Sequence, residues 1–166
     1  LFYRYDMEII DASKEDMKAC AEMMASTAPW KTFKYGALEC ITKIESGKWL
    51  KLAKHGNELL GFISYKPEGI GGMSAISLLC VASNHKRSGI GGMLLKHAEG
   101  HIFSYDHNVM LFVTSFNAEA ISFYEKHGYK RVGEIENYNF IGQSEYLYRK
   151  TLGPRREGLI CPNPRH

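Results

Sequence analysis

Residues 85 to 92 read HKRSGIGG, directly after the apolar run ISLLCVA (76–82) and before MLLKHAEGHIF (93–103). A strand that ends in a glycine-rich turn and opens a helix makes an anion site. The first N–H groups of such a helix have no internal partner, and the macrodipole places partial positive charge there. Gly89, Gly91 and Gly92 remove side chains that would hold a phosphate away, and Lys86 and Arg87 bring full charges. A merely solvated, glycine-rich helix start has the same composition. Two familiar phosphate motifs fail here. A Walker A loop needs Gly-Lys-Ser/Thr after its glycines, where GIGGMLL stands. A dinucleotide fingerprint needs a small residue at Leu94 and an acidic residue where apolar VMLFV lies (109–113).

His97 and His101 lie four apart on one helical stretch, a spacing that suits a metal. HAEGH places its glutamate wrongly for H-E-x-x-H and no third ligand follows, so a solvated helix face and no metal are expected. Cys20, Cys40, Cys80 and Cys161 are scattered without a C-x-x-C pair, which favours reduced thiols and a cytoplasmic protein.

These residues must be positioned by a mixed α/β chain. MEIIDA (7–12) reads as a strand, and Ser13 with Asp16 makes a capping-box-like start to a helix carrying Met17, Cys20, Ala21 and Met24 on one face. TAPW (27–30) breaks it. A second helix carries Tyr35, Leu38, Ile41 and Ile44 and ends at Gly47. Strands 48–55 and 59–66 join through Gly56-Asn57; PEGIGG (67–72) is the next turn, and 73–82 a further strand of an antiparallel meander. A helix over 90–103, with Ile90, Leu94, Ala98 and Ile102 inward, then leads to VMLFV, apolar throughout as a strand covered on both faces should be. Strand, helix and strand here form a parallel βαβ crossover. Asn117 caps a last helix, with Phe116 placed to staple onto Ile121, and Gly128 ends it. YKRVGEIENYNF (129–140) and SEYLYRKTL (144–152) read as two more strands. Residues 1–152 form one domain, and 153–166, with three prolines, a loose or docked extension. Met7 offers a start that would leave residues 1–6 as an addition, and LFYRYDMEII lacks the order of a signal peptide.

KRSGIG (86–91), about eight residues beyond Val81, resembles the pyrophosphate loop of the GNAT superfamily of acetyl-CoA-dependent N-acetyltransferases, Gln/Arg-x-x-Gly-x-Gly/Ala. Lys86 stands where the family has Gln or Arg, and keeps a donor and a charge. NAEAISFYEKHGY (117–129) supplies Asn117, Ala120, Tyr124, Gly128 and Tyr129 in the order of the family's second motif. The resemblance covers roughly residues 7 to 150. It implies an α/β fold with a GNAT-like mixed sheet: an antiparallel N-terminal meander joined to the crossover, with helices on both faces.

The resemblance further implies that the backbone of Leu79, Cys80 and Val81 bonds the pantetheine arm of acetyl-CoA like another strand. Lys86, Arg87, Ser88, Gly89, Ile90, Gly91 and Gly92 would cradle the pyrophosphate, and Asn117 would steady the pantetheine. Tyr124 would protonate the departing sulfur, as a phenol with an ordinary pKa of about 10 can; a packed aromatic on an amphipathic helix is the other reading. Direct attack by the amine is the family's usual route, so Cys80 is expected to be buried rather than nucleophilic.

A general base is missing from this reading. An alkylamine is neutral only about once in 2,500 molecules at pH 7. GGMSAISLLCV (71–81) offers Ser74 and Ser77 but no carboxylate, and Phe112 stands where N-terminal acetyltransferases carry a glutamate, five residues before Asn117. A water chain, or Glu39 from the second helix, could substitute, with Glu45 and Glu68 as further carboxylates to test. Without a base, kcat/KM for an alkylamine should rise about tenfold per pH unit with no plateau near pH 6 to 7.

The acceptor region of such folds holds Trp30, Phe33, Tyr35, Tyr138 and Phe140 here, aromatics that could seat an amine or simply pack. The expected partner is an amine acceptor, small molecule or peptide or protein amine, with a homodimer left open. A net charge of +3 argues for no nucleic acid, and no apolar run reaches the length of a membrane span. A non-catalytic acyl-CoA-binding sensor of the same fold is the alternative, and the absent base is its support.

Overall fold

The computed structural model describes residues 6–155. In chain order the elements are β1 (Glu8–Asp11), α1 (Asp16–Ala25), α2 (Ala37–Glu45), β2 (Trp49–His55), β3 (Glu58–Ile70), β4 (Met73–Val81), α3 (Ile90–Ile102), β5 (Asn108–Thr114), α4 (Ala118–Lys126), β6 (Lys130–Ile135) and β7 (Glu145–Thr151). They build one seven-stranded sheet in the order β1-β2-β3-β4-β5-β7-β6. The first four strands form the antiparallel meander; β4 and β5 are parallel, with α3 as the crossover. β7 inserts between β5 and β6, antiparallel to both. This is the mixed sheet the sequence led us to expect.

Alternation along the strands fills a core on each face. Leu52, Phe62, Leu78 and Cys80 meet Cys20, Ala21 and Met24 of α1 and Cys40 and Ile44 of α2. Ala53, Ile63 and Tyr65 meet Ile90, Leu94, Leu95, Ala98 and Ile102 of α3 on the other. Leu94 is fully buried, so Leu94→Ala should cost about 2–5 kcal/mol of stability, read as a lowered urea midpoint.

Asp16 anchors the start of α1. Its carboxylate accepts the Ser13 N–H and Oγ–H, each at 2.8 Å, and Lys54 Nζ at 2.7 Å. The Lys54 contact, followed by the Ser13 bonds, holds its pKa down to about 2. A depressed carboxylate stabilises the fold above its unfolded pKa, about 3.9, and that contribution is lost as pH falls toward 2. Asp16→Asn should therefore flatten the stability change between pH 4 and 2 in urea titrations.

Three expectations are corrected. The turn placed at 67–72 is only Gly71-Gly72, with φ of 59° and 75°, because β3 resumes after a register slip and pairs Ile70 with Met73. Pro67, which cannot donate to a ladder, lies in the slipped segment. Leu38 is 76% exposed, since the inward stripe of α2 runs through Cys40 and Ile44. The strand expected over 129–140 stops at Ile135. Beyond it Asn137 has φ 51° and accepts the Gly142 N–H at 2.7 Å, a turn that competes with the ladder.

Candidate functional site

The site exists because β4 and β5 part. They pair only at Ser74↔Val109 and Ala75↔Met110. Next along β4, Tyr65 faces Ile76 while Ser64 faces Leu78, leaving Ser77 as an extra residue. Such a bulge bends and twists its strand. From Ile76 to Val81 the backbone groups on the β5 side of β4 thus have no strand partner among the described residues.

Two cavities open from this parting. One, of about 260 Å³, lies between Ile76–Leu79 of β4 and Leu111–Thr114 of β5, and is walled by Trp30, Phe33, Tyr35, Tyr138 and Glu145. The other, of about 1020 Å³, runs from Leu79, Cys80 and Val81 past the α3 N-terminus to α4. That is the volume of a cleft for a sizeable ligand. Trp30, Leu79, Asn117, Ala120 and Tyr124 line both cavities, and among the described residues Tyr124 is the only ionisable side chain they share.

The structure brings the loop residues to the larger groove and separates their tasks. Lys86, Arg87, Gly89, Ile90, Gly91 and Gly92 line it. Ser88 lies between them, its Oγ–H donating to the His85 carbonyl. Gly89 is the N-cap of α3 with φ 92°, a conformation that favours glycine. A Cβ on Gly92 would come 3.1 Å from His127 Nε2, so this glycine lets α3 and α4 approach. A Cβ on Gly91 would find ordinary contacts, Phe123 at 3.5 Å and Val81 at 3.6 Å. Lys86 reaches across the groove mouth to Glu119 of α4 at 2.8 Å. Lys96, Lys126 and Lys150, which the sequence reading did not include, also line this groove, Lys150 paired with Glu99 at 2.7 Å.

Asn117 caps α4, its Oδ1 accepting the Ala120 N–H at 3.1 Å. Tyr124 is 8% exposed, with Phe123 and Tyr129 rings edge-on at 5.2 and 5.4 Å. Burial pushes its hydroxyl well above the ordinary tyrosine range, so it stays protonated in neutral solution. Burial likewise pushes the Cys80 thiol up to about 12, which leaves it without the thiolate a nucleophile needs.

The aromatics foreseen for the acceptor form a cluster. Phe33 stacks on Phe140 at 5.2 Å and meets Tyr35 and Phe116, each at 5.6 Å, and Tyr138 stacks on Phe112 at 5.7 Å. Phe116, expected as a staple, is 52% exposed and joins this cluster. Glu39 serves α2 instead, accepting the Gly36 N–H at 2.8 Å, and Glu45 and Glu68 are exposed; none of the three lines either cavity. Ser74 donates its N–H and Oγ–H to Asp106, each at 2.8 Å. His101 Nδ1 lies 3.0 Å from the Tyr65 hydroxyl, and its ring packs on Trp49. Among the described residues no group of three or more His, Cys, Asp or Glu is placed to hold a metal, and no helix is long and apolar enough to cross a membrane.

The residue the sequence reading missed is Glu145. It opens β7 opposite Thr114 of β5, lines the smaller cavity and is 6% exposed. Its Oε1 accepts the Thr114 hydroxyl at 2.8 Å and the Gln143 amide at 2.9 Å. Burial raises its pKa above the usual carboxylate range, while those two bonds and Lys43 pull it back.

Residues 13–129 match the family model described as Acetyltransferase (GNAT) family. An uncharacterized N-acetyltransferase of Bacillus subtilis (strain 168), YjcF, is 27% identical over 92 residues, a match that spans 52% of this chain and 64% of that relative's length. The ribosomal-protein-S18-alanine N-acetyltransferase of Escherichia coli superposes with a TM-score of 0.75 at 16% identity, over 93% of this chain and 99% of that one. An aminoglycoside 6'-N-acetyltransferase complexed with coenzyme A gives 0.72 at 20% identity, over 90% and 99%.

Proposed function

The chain belongs to the GNAT acetyltransferase family, and from that premise we propose that it transfers the acetyl group of acetyl-CoA to a primary amine by direct attack in a ternary complex. One observation carries the reading. The large basic groove and the small aromatic cavity meet at Tyr124, just where β4 has lost its strand partner. A thioester held along β4 and an amine in the smaller cavity would meet beside a phenol that remains protonated.

The groove fits the cofactor in kind. Unpartnered N–H groups at the α3 N-terminus suit a pyrophosphate, with Arg87 beside them and Lys86 held at the mouth by Glu119. The open edge of β4 at Leu79, Cys80 and Val81 suits the amides of a pantetheine arm. Asn117, whose Oδ1 is used as a cap, has its amide N–H groups left for the same arm. A backbone N–H of β4 would polarise the thioester carbonyl.

The alternative, a non-catalytic acyl-CoA-binding module, drew on the lack of a carboxylate near the acceptor. Glu145, a carboxylate that lines the smaller cavity, weighs against it. The deciding experiment pairs acetyl-CoA calorimetry with free-thiol release over a panel of amines. Saturable binding and amine-dependent thiol release are expected. Binding without release for any amine would favour the module, and no binding would end both readings.

A further inference from the structure

We infer that Glu145 is the acceptor-side base of this site, taking the proton from a small primary amine whose body lies among Trp30, Phe33, Tyr35 and Tyr138; this rests on the acetyltransferase reading above. A carboxylate withdrawn from water is costly unless it is paired. Glu145 is buried, yet both donors it has engage Oε1; Oε2 makes no hydrogen bond among the described residues. Lys43 of α2 also lines the cavity, but its Nζ lies 5.0 Å over the Tyr35 ring and forms no salt bridge with Glu145. Thr114 faces it from β5, Gln143 and Tyr138 from the loop before β7, and Tyr35 from the segment before α2. None of these is a cation in contact with the free oxygen. An ammonium group in the cavity supplies the missing donor and charge, and the surrounding rings favour a cation and its apolar body.

The cavity has room for an aromatic ring and an amine: about 150 Å³ takes benzene, and this one holds about 260 Å³. An arylalkylamine fits that space.

The step balances without a further reactant. Glu145 Oε2 takes one proton from the ammonium, and the freed nitrogen lone pair attacks the thioester carbonyl carbon. The C–N bond forms, the C–S bond breaks, and Tyr124 gives its proton to the departing sulfur. The second nitrogen-bound proton of the adduct restores Tyr124, and Glu145 releases its own to solvent. The burial that raises the carboxyl's pKa also makes it a stronger base than an exposed glutamate.

The test measures kcat/KM for 2-phenylethylamine from pH 6 to 9.5 in wild type, Glu145→Gln and Glu145→Asp, with acetyl-CoA affinity by calorimetry. Glutamine keeps the acceptor oxygen for Thr114 and Gln143 but cannot take a proton. Wild type should flatten above the carboxyl's pKa. The glutamine variant should rise about tenfold per pH unit instead, about 10²- to 10³-fold slower at pH 7 and converging near the amine's pKa, because the neutral fraction of the amine still reacts. Acetyl-CoA affinity should hold, and aspartate should keep the bend at reduced rate. Should glutamine fail to fold, loss of the bend in Glu145→Asp would overturn the assignment. An unaltered profile in a folded glutamine variant overturns this inference alone, as does faster turnover of a peptide N-terminus than of the small amine. No turnover by wild type with any amine overturns the acetyltransferase reading and the inference with it.

Discussion

Replacing Gly91 with glutamate should weaken acetyl-CoA binding on the order of 10³-fold while the protein stays folded. Gly91 is the second residue of α3, and its N–H is one of those the helix leaves unpaired. The new Cβ would sit at ordinary contact distance from Phe123 and Val81, so the packing accepts it. An acidic residue in the first turn even suits the helix dipole, by about 0.3–1 kcal/mol. The cost therefore falls on the ligand. A carboxylate about 4 Å from a phosphate, at an effective dielectric of about 20, is worth about 4 kcal/mol of repulsion, close to a thousandfold. Calorimetry with acetyl-CoA beside a thermal melt separates the two effects. Unchanged affinity in a folded variant would sink the phosphate-loop reading. Gly89→Ala and Gly92→Ala serve as contrasts, since there the strained φ and the His127 contact fall on the fold as well.

How much of this was legible in the sequence follows from how local each feature is. The loop at 86–92 and the Asn117-to-Tyr129 stretch are contiguous, and their tasks are set by a helix start and a helix face; the structure places both on the groove. The inward residues of α3, Ile90, Leu94, Ala98 and Ile102, follow from a period of 3.6, and all four are buried. What stayed hidden depends on pairing between distant strands. Ser77 becomes a bulge only through the register of β3 against β4, and alternation along 73–81 alone cannot reveal the slip. Glu145 reads as one charge at the start of a strand. It becomes a cavity residue because β7 inserts between β5 and β6 and sets it opposite Thr114. Leu38 failed for the opposite reason. Its spacing fits a stripe, but the sheet buries the neighbouring stripe through Cys40 and Ile44.

Tyr124→Phe should lower kcat about 10²- to 10³-fold with little change in acetyl-CoA affinity, within the usual span of general acid catalysis. Phenylalanine keeps the ring between Phe123 and Tyr129, so a loss of rate would belong to the hydroxyl rather than to packing. That hydroxyl makes no hydrogen bond among the described residues, and burial alone raises its pKa. A raised pKa keeps the acid form present to higher pH, so no falling limb from Tyr124 is expected between pH 7 and 9.5 in wild type. It also makes the phenol a reluctant donor, and its proton should leave only as the adduct's nitrogen replaces it. The dependence on Tyr124 should then follow the basicity of the leaving thiolate. With an acetyl thioester of a more acidic thiol, whose thiolate departs without help, the Phe variant should recover most of the wild-type rate. Thiol release at saturating amine measures both cases. Equal turnover of the two proteins with acetyl-CoA would reduce Tyr124 to a packing residue. A deficit that persists with the better leaving group would mean that the hydroxyl positions the thioester instead of protonating it.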